Sequence, residues 1–255
     1  MTIITDPTFY LLAVPAVVAL GLSKGGFAGV GQMATPMLAL VMPPLEAAAI
    51  LLPIMLVQDS VALWVYRKEW SGRIFSIVMP GALIGIGAAW LLAAYVSDAV
   101  VRVLIGLTTI AFVTYSWLAS AARPRPSDSP AVASGVVSGI FSGFTSTLCQ
   151  AGGPPFHIYV LSQKVSKMNF VGTTAYFFAA VNALKLAPYF ALGQFSSTGL
   201  GTSVALLPLA IVTNMLGFWV VRITPQELFY KITMVLMFLI SIELIRAGVL
   251  GMWRG

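Results

Sequence analysis

The chain has 255 residues, 59% of them hydrophobic and only 9% charged, with a mean hydropathy of +0.95. No water-soluble domain of this length carries such a composition without aggregating, so the sequence reads as an integral membrane protein. Its net charge of +6 sits on Lys and Arg that flank apolar runs, which assigns it to membrane orientation and excludes a nucleic-acid-binding face.

Apolar segments fall at about 8–24, 26–42, 46–66, 74–95, 99–119, 132–149, 151–163, 168–192, 203–221 and 228–249. A spanning helix needs roughly 20 residues, so most of these are long enough to cross, whereas 26–42 and 151–163 are short and suit broken or re-entrant segments. No basic leader precedes the first run and no small-residue cleavage site follows it, so the first helix is expected to remain in the mature protein.

The first short segment opens on Ser23-Lys24-Gly25-Gly26 and runs to Pro36. The second follows Gln150-Ala151-Gly152-Gly153-Pro154-Pro155. Glycine opens torsions closed to other residues and proline suits the first turn of a helix, so a short helix is expected to start after each break. Its free amides and positive dipole end would favour an anion, and two such ends from matching halves could hold a small oxyanion near the midplane. Gly21, Gly25 and Gly29, and likewise Gly135, Gly139 and Gly143 beside Ser134, Ser138 and Ser142, recur every four residues, a spacing that brings membrane helices close together.

Residues 120–131 are the one sustained polar, Pro-rich stretch. They read as a cytoplasmic linker between a first membrane repeat, 1–119, and a second, 132–255. Each part contains a glycine-spaced helix, a broken segment, a long helix with a polar cluster, and a helix with an early proline, Pro80 or Pro208. Five segments per part make the second copy inverted, and loop charge agrees. Arg67, Lys68, Arg73, Arg123, Arg125, Lys164, Lys167, Arg222 and Lys231 fall on one side, expected cytoplasmic, while Asp6, Glu46 and Asp98 fall on the other. Arg102 and Arg254 are exceptions, and both termini are expected outside. The expected fold is therefore all-α: a polytopic helical bundle with a five-plus-five inverted repeat and broken or re-entrant helices.

An ionisable group at the bilayer centre costs roughly 2.5–3.5 kcal/mol on insertion scales and is usually functional or paired. Gln58-Asp59 lies in the third segment, with Asn182 and Lys185 in the eighth. A register of 123 residues sets Asp59 opposite Asn182, so these clusters are expected to face each other across the two halves. Asp59 is a candidate for proton coupling or for a salt bridge to Lys24 or Lys185. Lys24 and Lys185 could attract an anion, or snorkel to an interface. His157, the sole histidine, could line the second break or titrate, or be scaffold. Glu243 and Arg246, three apart, read as a structural pair. The single cysteine, Cys149, allows no intramolecular disulfide or thiol pair, and neither metal nor cofactor is expected. No paired-His metal motif or serine elbow is present, so no catalytic residue is assigned and an enzyme is not expected.

At these motifs the chain resembles the TauE/SafE family of sulfite exporters over almost its whole length. The residues are Ser23-Lys24-Gly25-Gly26 through Pro36, Leu52-Pro53 with Gln58-Asp59, Pro80-Gly81, Gly143 to Thr147, Gly152-Gly153-Pro154-Pro155 with Tyr159-Val160-Leu161, Gly172-Thr173, and Asn182 to Lys185 with Leu186. The resemblance implies a multi-pass permease of the bacterial inner membrane that exports sulfite or a small organosulfonate. Many relatives carry His where this chain has Gln150, which can donate two hydrogen bonds to an oxyanion but cannot take up charge. Substrate contacts are thus expected at Lys24, Gly25, Gly26, Gln58, Gln150, Gly152, Gly153, Asn182 and Lys185, with Asp59 and His157 as candidates for handling protons as coupling ion. Alternatives are another small anion such as sulfoacetate, thiosulfate or a carboxylate, import in place of export, or a non-transporting membrane assembly factor.

Overall fold

The computed structural model describes residues 2–24, 30–95, 97–119, 132–150, 152–163, 165–223 and 226–254. Among them every regular element is helical. The α-helices run in order as α1 (Pro7–Lys24), α2 (Ala34–Leu38, preceded by a 3-10 turn at Val30–Met33), α3 (Pro44–Val65), α4 (Gly72–Tyr95), α5 (Asp98–Ala119), α6 (Val132–Cys149), α7 (Gly153–Ser162), α8 (Lys167–Ala191), α9 (Ser197–Ile223) and α10 (Gln226–Arg254). The expected linker at 120–131 lies outside the described residues, as do Gly25 and Gly26.

Length and composition qualify five helices as membrane spans, within α1, α3, α4, α8 and α9. At about 1.5 Å per residue, ten-residue α7 is far too short to cross a hydrocarbon core of about 30 Å, and five-residue α2 shorter still. Proline sets both limits: Pro43-Pro44 follows the turn after α2, and Pro154-Pro155 start α7. Prolines inside α1, α3, α4, α8 and α9 are tolerated, as in a bundle where neighbours re-satisfy the freed carbonyls. Large apolar side chains such as Leu11, Trp64, Phe190 and Met215 point outward, the face a bilayer would cover.

Helix pairs are set by small residues. Along α4 and α6, Gly81 and Gly85 lie against the Val136 and Ile140 carbonyls, while Gly139 and Gly143 lie against those of Val78 and Ala82. The serines beside those glycines face the other way: Ser138 Oγ donates to Pro155 O and Ser142 Oγ to Gly152 O, each at 2.6 Å. One helix thus uses its glycines to reach α4 and its serines to hold α7. In a similar way Gly21 of α1 sits against Thr213 of α9, and Gly217 against the Gly21 carbonyl, which an added Cβ would approach to 2.7 Å. The α5–α10 pair closes at Gly106 and Gly248, where an added Cβ would lie 2.8 Å from Ser241 O and 2.6 Å from Ala99 O. Helix α3 lies between α8 and α9.

The turn between α3 and α4 docks on α8: Ser71 N donates to Thr173 Oγ1 at 2.9 Å and Trp70 stacks on Tyr176. At its other end α8 closes in a left-handed turn, with Gly193 at φ +66° and Gln194 N donating to Tyr189 O. Glu243 and Arg246 form the bidentate pair expected from their spacing, at 2.7 and 2.8 Å.

Candidate functional site

Both broken segments end at one cavity of about 160 Å³. Its polar wall is Ser23 and Lys24 at the end of α1, Gly31 and Gln32 from the 3-10 turn, and Gln150, Gly153 and His157 from the second break. The opposite wall is largely apolar, with Leu20, Met55, Phe170, Val171, Ala175 and Phe178; Ala62, Tyr66 and Thr174 complete the lining.

The two breaks differ in what they supply. After the second, α7 starts at Gly153 with Gly152 as its cap residue. Pro154 and Pro155 have no amide hydrogen, which leaves fewer donors in the first turn than an ordinary helix start presents. After the first break comes a four-residue 3-10 turn merging into a five-residue helix. A dipole accumulates over aligned peptides, so this short piece has little of one. A short helical piece thus follows each break as expected, but the two starts are unequal, and side chains carry most of the polar chemistry.

Three of those side chains hold buried atoms without a hydrogen-bond partner: Gln32 Oε1, Gln150 Nε2 and His157 Nε2. Gln32 and Gln150 are each only 7% exposed. Leaving such a group unsatisfied costs about 1–3 kcal/mol, a penalty that a ligand able to complete the bond would recover. Gln150 also has φ +57°, a left-handed conformation that costs a residue with a Cβ about 1–2 kcal/mol. Strain of this kind gathers where structure around it fixes a side chain for function.

Behind the polar wall lie two buried networks. Lys24 is ion-paired to Asp59 Oδ1, while Asn182 Nδ2 donates to Asp59 Oδ2 at 2.5 Å. The clusters expected to face each other are thus joined through one carboxylate. Lys185, fully buried, donates to Gln150 Oε1 and to Ser146 O and Oγ at 3.2 and 3.1 Å. Both the Lys24–Asp59 and the Gln150–Lys185 links span 35 residues.

Of the expected contact residues, Lys24, Gln150, Gly153 and His157 line the cavity. Gln58, Asp59, Gly152, Asn182 and Lys185 do not. Gln58 donates to Ala210 O on α9, and Gly152 packs 2.6 Å from Ser142 O and 2.9 Å from Phe178 as judged from an added Cβ. The sequence reading missed Gln32, the polar side chain of the first break, and the Phe170, Thr174, Phe178 face of α8, whose spacing of four is the signal that marks it.

The description "Sulfite exporter TauE/SafE" attaches to a family model that matches residues 13–244, which takes in both breaks and every helix of the bundle at least in part. The chain belongs to the TauE/SafE family. No curated protein and no solved structure gives a significant match. Membership makes the chain a membrane transport protein of the anion-exporter class, and transporters of the TauE/SafE family are not enzymes.

Two adjacent glycines separate fold from site. Gly152→Ala drives a Cβ toward the Ser142 carbonyl and is expected to lower the melting temperature in detergent. Gly153→Ala meets Gln32 Nε2 at 2.6 Å, the far end of a flexible side chain, so the protein is expected to stay folded with the amide displaced and anion binding weakened.

Proposed function

We propose that this chain exports sulfite or a small organosulfonate from the cytoplasm across the bacterial inner membrane, with the anion held in the cavity between the two helix breaks. The observation that carries the proposal is the convergence of buried, unpartnered polar atoms of Gln32, Gln150 and His157, beside Lys24, on one cavity. Gln150 Nε2, and His157 Nε2 in the tautomer that protonates it, can donate hydrogen bonds to an oxyanion beside the positive charge of Lys24, which Asp59 keeps tolerable in a low dielectric, whereas Gln32 Oε1 can only accept. The apolar wall formed by Leu20, Met55, Phe170, Val171 and Phe178 favours an anion with a short organic tail over bare sulfite.

The transport cycle is alternating access by a five-plus-five inverted repeat, 1–119 against 132–255, around the breaks. Supporting it, the helix pairs exchange in the way a pseudo-two-fold axis requires: α1 on α9 answers α6 on α4, while α3 on α8 and α5 on α10 each pair with their own counterpart. The cavity lies toward the end of the bundle that carries Arg67, Lys68 and the start of α8, as Tyr66 and Phe170 line it. That end is the cytoplasmic one by loop charge, so both termini lie outside and this conformation is the loading state of an exporter. An inside-negative potential supplies about 2.3 kcal/mol per charge per 100 mV to an outgoing anion. Protons can add to this through Asp59 or His157.

The test is efflux of labelled sulfite from liposomes containing the purified protein, with and without a pH gradient and with sulfonates, thiosulfate and carboxylates as competitors. Saturable efflux, competed best by short sulfonates, is expected. Flux no greater than from empty liposomes for every anion would overturn the proposal; flux of another anion alone would reassign the substrate.

A further inference from the structure

Gln150 and Lys185 form a unit whose two members do different work, although both were expected to touch the substrate. We infer that Lys185 is a positioning residue: it holds the Gln150 amide with its carbonyl turned away from the cavity, so that at this position the cavity meets an N–H donor and favours ligands that bring a hydrogen-bond acceptor to it. This rests on the cavity being the anion site.

The two ends of a glutamine amide are nearly equal in shape, and only their partners decide which way each points. A lysine ammonium has three donors and no acceptor, so whatever it meets must offer oxygen. Lys185 Nζ takes Gln150 Oε1, Ser146 O and Ser146 Oγ, all at the C-terminal end of α6, where the helix dipole favours a cation. With its oxygen engaged, Gln150 can turn only Nε2 elsewhere. That nitrogen is buried without a partner, and the residue lines the cavity. The backbone prevents escape: Gln150 N is bonded to Ser146 O at 3.1 Å, and the left-handed φ of +57° directs the side chain out of the helical path. The ammonium also polarises the amide it holds, which strengthens the N–H donors on the cavity side.

Lys185 itself is fully buried and is not among the lining residues, so its charge reaches a ligand through the amide. A ligand that turns a donor toward Gln150 meets a donor and forgoes that hydrogen bond. A sulfonate offers three acceptor oxygens and a charge, whereas an isosteric sulfonamide offers two acceptor oxygens and an NH2 donor, so the site favours the sulfonate, a preference that size alone does not give.

Binding of methanesulfonate and of neutral methanesulfonamide to the purified full chain, in detergent, measures this as a ratio of affinities. The parent protein is expected to prefer the anion. Lys185→Met, which releases the amide to rotate, should cut that preference by about tenfold or more, as loss of a charge-assisted buried hydrogen bond implies. Lys185→Arg, also donor-only, should keep more of it. Gln150→Glu retains an acceptor for Lys185 but presents oxygen to the cavity, and should abolish the preference even where Lys185→Met fails to fold. An unchanged ratio in a folded Gln150→Glu protein would overturn the inference while leaving the anion site standing. A parent protein that binds neither methanesulfonate nor sulfite would instead overturn the anion site, and the inference with it.

Discussion

Gly139→Leu should yield no monodisperse folded protein in detergent. A side chain at that position of α6 drives into the Val78 carbonyl of α4, with the Val78 carbonyl carbon and Ala82 N both 3.0 Å from its first carbon. The neighbours offer no relief. Gly143 is 2.8 Å from Ala82 Cα, Gly81 is 2.9 Å from the Val136 carbonyl carbon, and Gly85 is 2.7 Å from Phe144 N, all measured from the carbon each lacks. Backbone faces backbone throughout, so the strain cannot be taken up by rotating a side chain and the helices must separate. Overpacking a core costs about 1–3 kcal/mol even where side chains can yield, and a domain's whole stability is about 5–15 kcal/mol. At Gly87, on α4, an added Cβ would meet nothing within 4 Å. Gly87→Ala is the matched control and should elute and melt as the parent does. A Gly139→Leu protein with the parental profile would refute the close α4–α6 crossing.

Asp59→Leu should be the most damaging single change among the buried polar residues. The carboxylate is 2% exposed and serves two donors at once, Lys24 on α1 and Asn182 on α8. Its removal leaves the partly buried Lys24 ammonium and the buried Asn182 amide without this acceptor. Breaking a buried pair by deleting one member costs about 3–5 kcal/mol, because the remaining charge is uncompensated. Removing both members relieves most of that, so Lys24→Met with Asp59→Leu should melt well above Asp59→Leu alone. The double variant should not transport, since Lys24 lines the cavity. Additive losses in the thermal measurement would show that the two side chains are not coupled. Asp59→Asn asks a separate question in liposomes: if Asp59 carries the coupling proton, dependence on a pH gradient disappears, whereas gradient-driven flux at the parental rate would make Asp59 structural.

Hydropathy located most helices closely, as at 132–149, because in a membrane bundle helix length and apolar length are one constraint, but it began α9 at 203 instead of Ser197 and ended α10 at 249 instead of Arg254. Pairing of Asp59 with Asn182 was also within reach, since each was a costly polar group at matching depth in the two halves. What stayed hidden depended on direction about a helix axis. Sequence marks Lys185 as a buried cation but not whether its head reaches a cavity or stops one residue short of it, at Gln150. Gln32 escaped because a glycine-rich break has no period from which to project a face, although a buried glutamine there carries the same penalty as Gln58. The number of amides free at a helix start was readable from Pro154-Pro155; the shortness of α2, confined between the 3-10 turn before it and the turn that leads to Pro43-Pro44, was not.

The central claim is a location, and selenite, a heavier oxyanion of the same shape as sulfite, can report it directly. A crystal structure of the protein with selenite, recorded at the selenium edge on unlabelled protein, is expected to show one strong anomalous peak between Gln150 Nε2 and Lys24 Nζ, with selenite oxygens about 2.7–3.2 Å from those nitrogens. A peak outside the cavity, or an empty cavity at a selenite concentration that saturates efflux, would contradict the account.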